Sequence, residues 1–340
     1  MRHPLPLLAA ALATAGIAPG VAPSAVAAPP VPSRASASTV ASSVPAPAAG
    51  AVHAPHARAN ARHTHPRTRR HRRRSKVIMP LRSTRGLATG RRTARITFHG
   101  GRVITAPSHV YLLWYGDWST TPTIGIITRL VRELGWSEYA TTNATYGDGH
   151  GGRATIDVRL GGSISLGYSR GLRLSDAGVR MLVTGAIRAR RVPLDPDAIY
   201  AVLTSADVRE TSGFATRYCG WHSRTTLRRT AVHYLFAGDP RQQAPTTCEP
   251  RVASTPHGDA ASDALAGTLV HEIDETLTDP DIDAWYDRYG SENADKCAWT
   301  FGATHAAANG APSNVQLGNE DWLIQQNWVA GKHQACALHA

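Results

Sequence analysis

The chain has 340 residues, with 37 Lys and Arg against 25 Asp and Glu, a net charge of +12 and four cysteines. The excess is confined to one end: residues 1–95 hold 16 of the basic and none of the acidic residues, so the remainder carries 21 against 25, a balance of −4. A mildly acidic body speaks against a nucleic-acid-binding domain, and four cysteines without a C-x-x-C speak against a zinc ribbon.

The N-terminus begins with Arg2, an apolar run from Leu5 to Ala18 and an Ala-x-Ala-like exit at Ala25–Ala28. These are the parts of a cleavable secretory signal peptide, residues 1–28. Neither this run nor any later one is long and apolar enough to span a bilayer. Residues 29–95 are rich in Ala, Pro, Ser, His and Arg and hold no aromatic and no acidic residue. Such a composition cannot bury enough apolar surface to offset its chain entropy, which predicts a disordered basic arm. Its run Arg67–Lys76 (RTRRHRRRSK) suits an anionic cell-wall or surface polymer in an exported chain, and it is a candidate end of a pro-segment. Arg outnumbers Lys 34 to 3, a usage that points to a GC-rich bacterial source.

Residues 96–340 have the length of one globular domain. Val110–Tyr115 (VYLLWY) reads as a central strand. A helix comes next, with Thr121 as cap, Pro122 in its first turn and Gly135 as its stop. Ile156, Val158 and Leu160 alternate with polar residues, as in a half-exposed strand. Ser175 caps a second helix, and Ala198–Leu203 and Ala231–Ala237 read as further buried strands. Strands alternating with helices predict a single layered α/β or α+β domain, a central sheet flanked by helices. Cys219, Cys248, Cys297 and Cys336 are even in number in an exported chain. Pairing in order along the chain, Cys219–Cys248 and Cys297–Cys336, closes the shortest loops.

A third helix spans about Asp259 to Thr278, with Leu265, Leu269, Ile273 and Leu277 as its core stripe. His271 and Glu275 lie one turn apart on a face pointing away from that stripe. The string is H-E-x-x-E; with 16 His and 8 Glu in the chain, chance supplies about 0.01 copies. In the related H-E-x-x-H pattern, the outer pair binds zinc and the intervening Glu is the general base. His271 and Glu275 are therefore read as metal ligands and Glu272 as the base. Glu292, 21 residues after His271, or Asp295 supplies a further ligand. Zinc is the expected ion, with harder divalent ions in competition. Nine of the 25 acidic residues fall within 271–295, a density that calls for a cation. An EF-hand is excluded, because Ala284 and Gly290 stand where its Gly and Glu are required. His222, in Cys219–His222 (CGWH), reads as a structural histidine beside a disulfide, and Gly147–Gly152 (GDGHGG) as a loop.

Several blocks, in order, carry a resemblance: Val110–Ser119 (VYLLWYGDWS), Ile199–Val208 (IYAVLTSADV), Tyr218–Ser223 (YCGWHS), Pro256–Asp259 (PHGD) and Leu323–Val329 (LIQQNWV). From about Gly100 to the C-terminus the chain resembles the Exordium-like, or phosphate-induced protein 1, family. That resemblance implies an extracellular protein of a group linked to cell expansion in plants. The segment matching His271–Glu275 is largely apolar in the plant members, so the metal reading rests on residues of this chain, which looks like a microbial branch. Two functions are in view: a secreted metal-dependent hydrolase, most simply a zincin-like peptidase, or a non-catalytic wall-binding module with a structural ion or none. An open coordination position would mark the first.

Overall fold

The computed structural model describes residues 75–82 and 93–340. The expected signal peptide and the arm up to residue 74 lie outside the described residues. One stretch of the expected arm does not: residues 77–80 form a strand, so the folded part begins before residue 96.

The frame is a six-stranded sheet. In chain order its elements, with the intervening helices, are β1 (Val77–Pro80), β2 (Ser108–Tyr115), α1 (Thr123–Leu134), β3 (Val158–Gly167), α2 (Asp176–Arg188), β4 (Ile199–Thr204), β5 (Tyr218–Leu227) and β6 (Thr230–Gly238). A long helix, α3 (Ala260–Thr278), and a single turn, α4 (Asn293–Lys296), come after them. The spatial order is β1-β5-β6-β4-β2-β3. β6, β4, β2 and β3 run parallel, whereas β5 is antiparallel to β6 and β1 antiparallel to β5.

Helices cover both faces, which explains the unbroken apolar run in β2. Val110, Leu112 and Trp114 point to a core shared with α1 and α3, while Tyr111, Leu113 and Tyr115 point to a second core with α2. Ser175 caps α2 by accepting a bond from Gly178 N, and Asp259 caps α3 by accepting one from Ser262 N. Pro122, rather than Thr121, is the residue at the N-cap of α1; it has no side-chain cap bond. The two disulfides join Cys219 to Cys248 and Cys297 to Cys336. No helix among the described residues is long and apolar enough to cross a membrane.

The sheet edge next to α3 carries the candidate site. β5 is a strand that periodicity in the sequence does not reveal, and β1 lies along it with Val77 opposite His222 and Met79 opposite Gly220. Residues alternate across a strand, so Gly220 and His222 face α3 while Trp221 faces the α2 core. Gly220 is needed there. A Cβ at that position would sit 2.6 Å from Thr268 Cγ2 and 3.0 Å from Glu272 Oε1, so its absence lets α3 lie directly on the strand. Lys76, the last cation of the basic run, is engaged within the fold: its Nζ lies 3.0 Å from Asp176 Oδ2 and over the rings of Tyr218 and Trp221.

Candidate metal centre

α3 is enclosed nearly all round. Leu265, Leu269, Ile273 and Leu277 join the main core as expected, and the opposite face, with His271, Glu272 and Glu275, is also sealed at 0% exposure. β5, α4, β1 and the segment around Gln325 supply the cover. An ionisable group buried this far needs a partner or loses its charge, so the partners decide what the site is.

The structure brings His271 and Glu275 together with both alternatives for the further ligand, Glu292 and Asp295. His271 Nε2 lies 3.1 Å from Glu275 Oε1 and 3.6 Å from Asp295 Oδ1. Asp295 is brought there by α4, whose backbone N at Asp295 donates to Glu275 Oε1 at 3.1 Å. Glu292, at the start of that turn, is buried beside them. The fifth participant is His222, expected from sequence to be structural. Its Nε2 lies 3.2 Å from Glu292 Oε2 and 3.6 Å from Glu275 Oε2. Only once β5 is known as a strand does its alternation place Gly220 and His222 on the face opposite Cys219 and Trp221.

Much of this cluster lacks hydrogen-bond partners. His222 Nδ1 and Nε2, His271 Nε2, Glu272 Oε2, Glu275 Oε2 and Glu292 Oε2 are all buried with none. Each such atom costs about 1–3 kcal/mol where water cannot reach, so the arrangement is poor as a protein core. It is a sound donor set for a divalent cation. The atoms form two groups whose members lie within 4.8 Å of one another: His271, Glu275 and Asp295, and His222, Glu275 and Glu292.

The electrostatics agree. Burial pushes the Glu272, Glu275 and Glu292 carboxyls above the usual range, and their mutual repulsion adds to it. Burial lowers His222 to about 4, against the pull of Glu275. It also opposes charge on His271, but there Glu275 and Asp295 outweigh it and the pKa is raised. Glu272, the expected base, stands apart from both donor groups. Its Oε1 accepts a bond from Met79 N of β1 at 3.2 Å, and its Oε2 has no partner.

The surrounding residues fix the candidate ligands. Gln325 Nε2 lies 3.0 Å from His271 Nδ1 and 3.0 Å from Ala294 O, while its Oε1 is unpaired. A ring whose Nδ1 accepts that bond carries its proton on Nε2, toward the carboxylates. Cation binding at Nε2 requires the proton on Nδ1 and the amide turned so that its free oxygen accepts it. Asp274 holds the same region from the other side of α3, accepting from Tyr139 Oη at 3.0 Å, Asn143 Nδ2 at 2.7 Å and Asn327 Nδ2 at 3.2 Å.

Other acidic residues of the 271–295 segment have structural work. Asp279 Oδ1 accepts from the backbone N of Asp283 and Ala284. Asp281 pairs with His233 and Arg224, and Asp287 with Lys296. The charge density of the sequence thus divides between a turn, two ion-pair groups and the centre itself.

An α/β layered domain with a sealed His and carboxylate centre between β5 and α3 defines the class of protein. The family is identified by comparison: residues 96–321 match the model described as "Phosphate-induced protein 1 conserved region", and the chain belongs to that family. Among curated proteins it is similar to Protein EXORDIUM-like 5 of Arabidopsis thaliana, 25% identical over 70% of this chain and 72% of that one. It is also similar to Protein EXORDIUM-like 3 of the same plant, 27% identical over 69% of this chain and 80% of that one. No solved structure matches the chain.

Proposed function

We propose that this Exordium-like domain is a secreted metal-dependent hydrolase, zincin-like in its use of an H-E-x-x-E helix, with the peptide bond as its target. The observation that carries the reading is the set of buried, unpartnered atoms on His271, Glu275, Glu292 and His222, with Asp295 alongside. Two imidazoles and three carboxylates form a mixed nitrogen and oxygen set that suits zinc, and manganese as a harder competitor. A divalent ion would supply Lewis acidity to a carbonyl and acidify a bound water. The chain's own contribution would come from Glu272, whose unpaired Oε2 is free to accept a proton from the attacking water and return it to the leaving amine. The two disulfides and the signal-peptide-like N-terminus support export, and the basic run before β1 supports a tether to anionic wall polymer.

The donors are almost wholly enclosed, so a substrate must displace part of the cover. Asp295 lies on the wettest side, its side chain 13% exposed, while β1 closes the side next to Glu272. The test is a hydrolysis screen over casein, gelatin and wall peptides with and without chelator. Chelator-sensitive activity should fall about 100-fold or more in Glu272→Gln, with fold and bound metal retained. Wild-type inactivity across the screen sinks the hydrolase reading, and activity that survives in Glu272→Gln removes that residue from the role.

A further inference from the structure

A single ion does not account for the whole donor set. Glu275 belongs to both groups, and its two oxygens face opposite ways: Oε1 toward His271 Nε2 at 3.1 Å, Oε2 toward His222 Nε2 at 3.6 Å. Each group then has a terminal carboxylate of its own. Asp295 Oδ1 lies 3.6 Å from His271 Nε2, and Glu292 Oε2 lies 3.2 Å from His222 Nε2. Ligands about 2.0–2.2 Å from one ion stand roughly 3–4 Å from each other, and these spacings fit that range on both sides.

An ion placed among His271, Glu275 and Asp295 would leave His222 Nε2 and Glu292 Oε2 unpaired in a place without water. The opposite placement would orphan His271 Nε2. The carboxylates divide the same way: Glu275 faces both imidazoles, Glu292 faces His222 alone and Asp295 faces His271 alone.

We propose a dinuclear centre, in which Glu275 bridges one divalent ion held by His271 and Asp295 and a second held by His222 and Glu292. The proposal rests on the metal reading above and goes beyond it in nuclearity and in giving His222 and Glu292 a common ion. Each ion would have one imidazole, one terminal carboxylate and one oxygen of the bridging Glu275, which leaves coordination positions for substrate. Two ions so placed can hold the attacked group and the attacking oxygen together, and Glu272 lies next to the bridge on the same helix.

The experiment uses the full chain, stripped with chelator and reloaded with zinc or manganese. Ions per chain are counted by elemental analysis after removal of free metal. Wild type should hold two zinc ions; Glu292→Gln and Asp295→Asn should each hold one, and Glu275→Gln should lose both. The manganese-loaded wild type should give the spin-coupled resonance of a close pair, a readout that needs no variant and so is immune to misfolding of any substitution. One zinc per chain, lost alike in Glu292→Gln and Asp295→Asn, with an uncoupled manganese signal, overturns the pair and leaves the single-ion hydrolase standing. No bound ion in the wild type overturns both.

Discussion

Replacing His222 with Leu should change stability in opposite directions with and without metal. In the metal-free chain the imidazole is 0% exposed, neutral through its depressed pKa, and without a hydrogen bond at either ring nitrogen. Removing the ring removes those orphaned atoms, and leucine fills the space with apolar atoms. Nε2 lies 3.2 Å from Glu292 Oε2, so Nδ1 alone is counted; at about 1–3 kcal/mol for one orphaned polar atom, the chelated variant should be more stable than chelated wild type by that amount. For a domain of this size, about 2–4 °C per kcal/mol gives a rise of roughly 2–12 °C. Zinc should reverse the order. An ion at 1,000 times its dissociation constant stabilises by about 4.1 kcal/mol, more than the advantage of about 1–3 kcal/mol, and the variant forgoes the contribution of at least one ion. Thermal melts of both proteins, in chelator and across a zinc series, measure both effects. A variant that loses several kcal/mol in chelator while keeping the full zinc gain would show that His222 is a packing residue and would refute the reasoning.

Other expected outcomes come from the same structure. A chain beginning at residue 75 should melt near the full-length temperature, because β1 is kept. One beginning at residue 96 should melt lower, because it loses the buried Val77 and Met79 side chains, worth about 1.5–3 kcal/mol each before the entropy of ordering the strand is subtracted. Equal melting of the two would show that β1 adds nothing. Opening the Cys297–Cys336 bridge by a double serine substitution should cost about 4 kcal/mol for a loop of 39 residues, read as a lower denaturant midpoint; an unchanged midpoint would refute it. In chelator, stability should fall as pH rises from about 4 to 7. Burial raises Asp274 and Asp279 to about 7, and a carboxyl with a raised folded-state pKa stabilises below its unfolded value, near 3.9, and loses that contribution as pH climbs through 7. Melting temperatures that rise over that window would contradict the burial of those two groups.

Much of the fold was legible because its strands and helices follow simple periods. Val110–Tyr115, Ala198–Leu203 and Ala231–Ala237 lie in three parallel strands buried on both faces, and unbroken apolar runs mark such strands. Capping chemistry placed α2 and α3 closely, and order along the chain gave both disulfides. β1 was hidden in an arm whose composition argues against folding, since Val77–Pro80 are four residues that gain a partner only when β5 exists. β5 was hidden for a related reason. Cys219 draws attention to a bridge, and the polar end Ser223–Thr226 breaks the apolar signal. The helix motif exposed His271, Glu272 and Glu275 through spacing alone, and Glu292 and Asp295 through distance along the chain. No local spacing links His222 to them, because the contact is made by a strand nearly fifty residues upstream.

The most direct measurement of the proposed metal centre is a crystal structure of the zinc-soaked chain with anomalous data at the zinc edge. A strong peak is expected within about 2.0–2.2 Å of His271 Nε2 and an oxygen of Glu275, absent from crystals grown in chelator. Zinc found only on exposed surface histidines, with the centre bare and its side chains unmoved, would contradict the assignment of these residues as ligands.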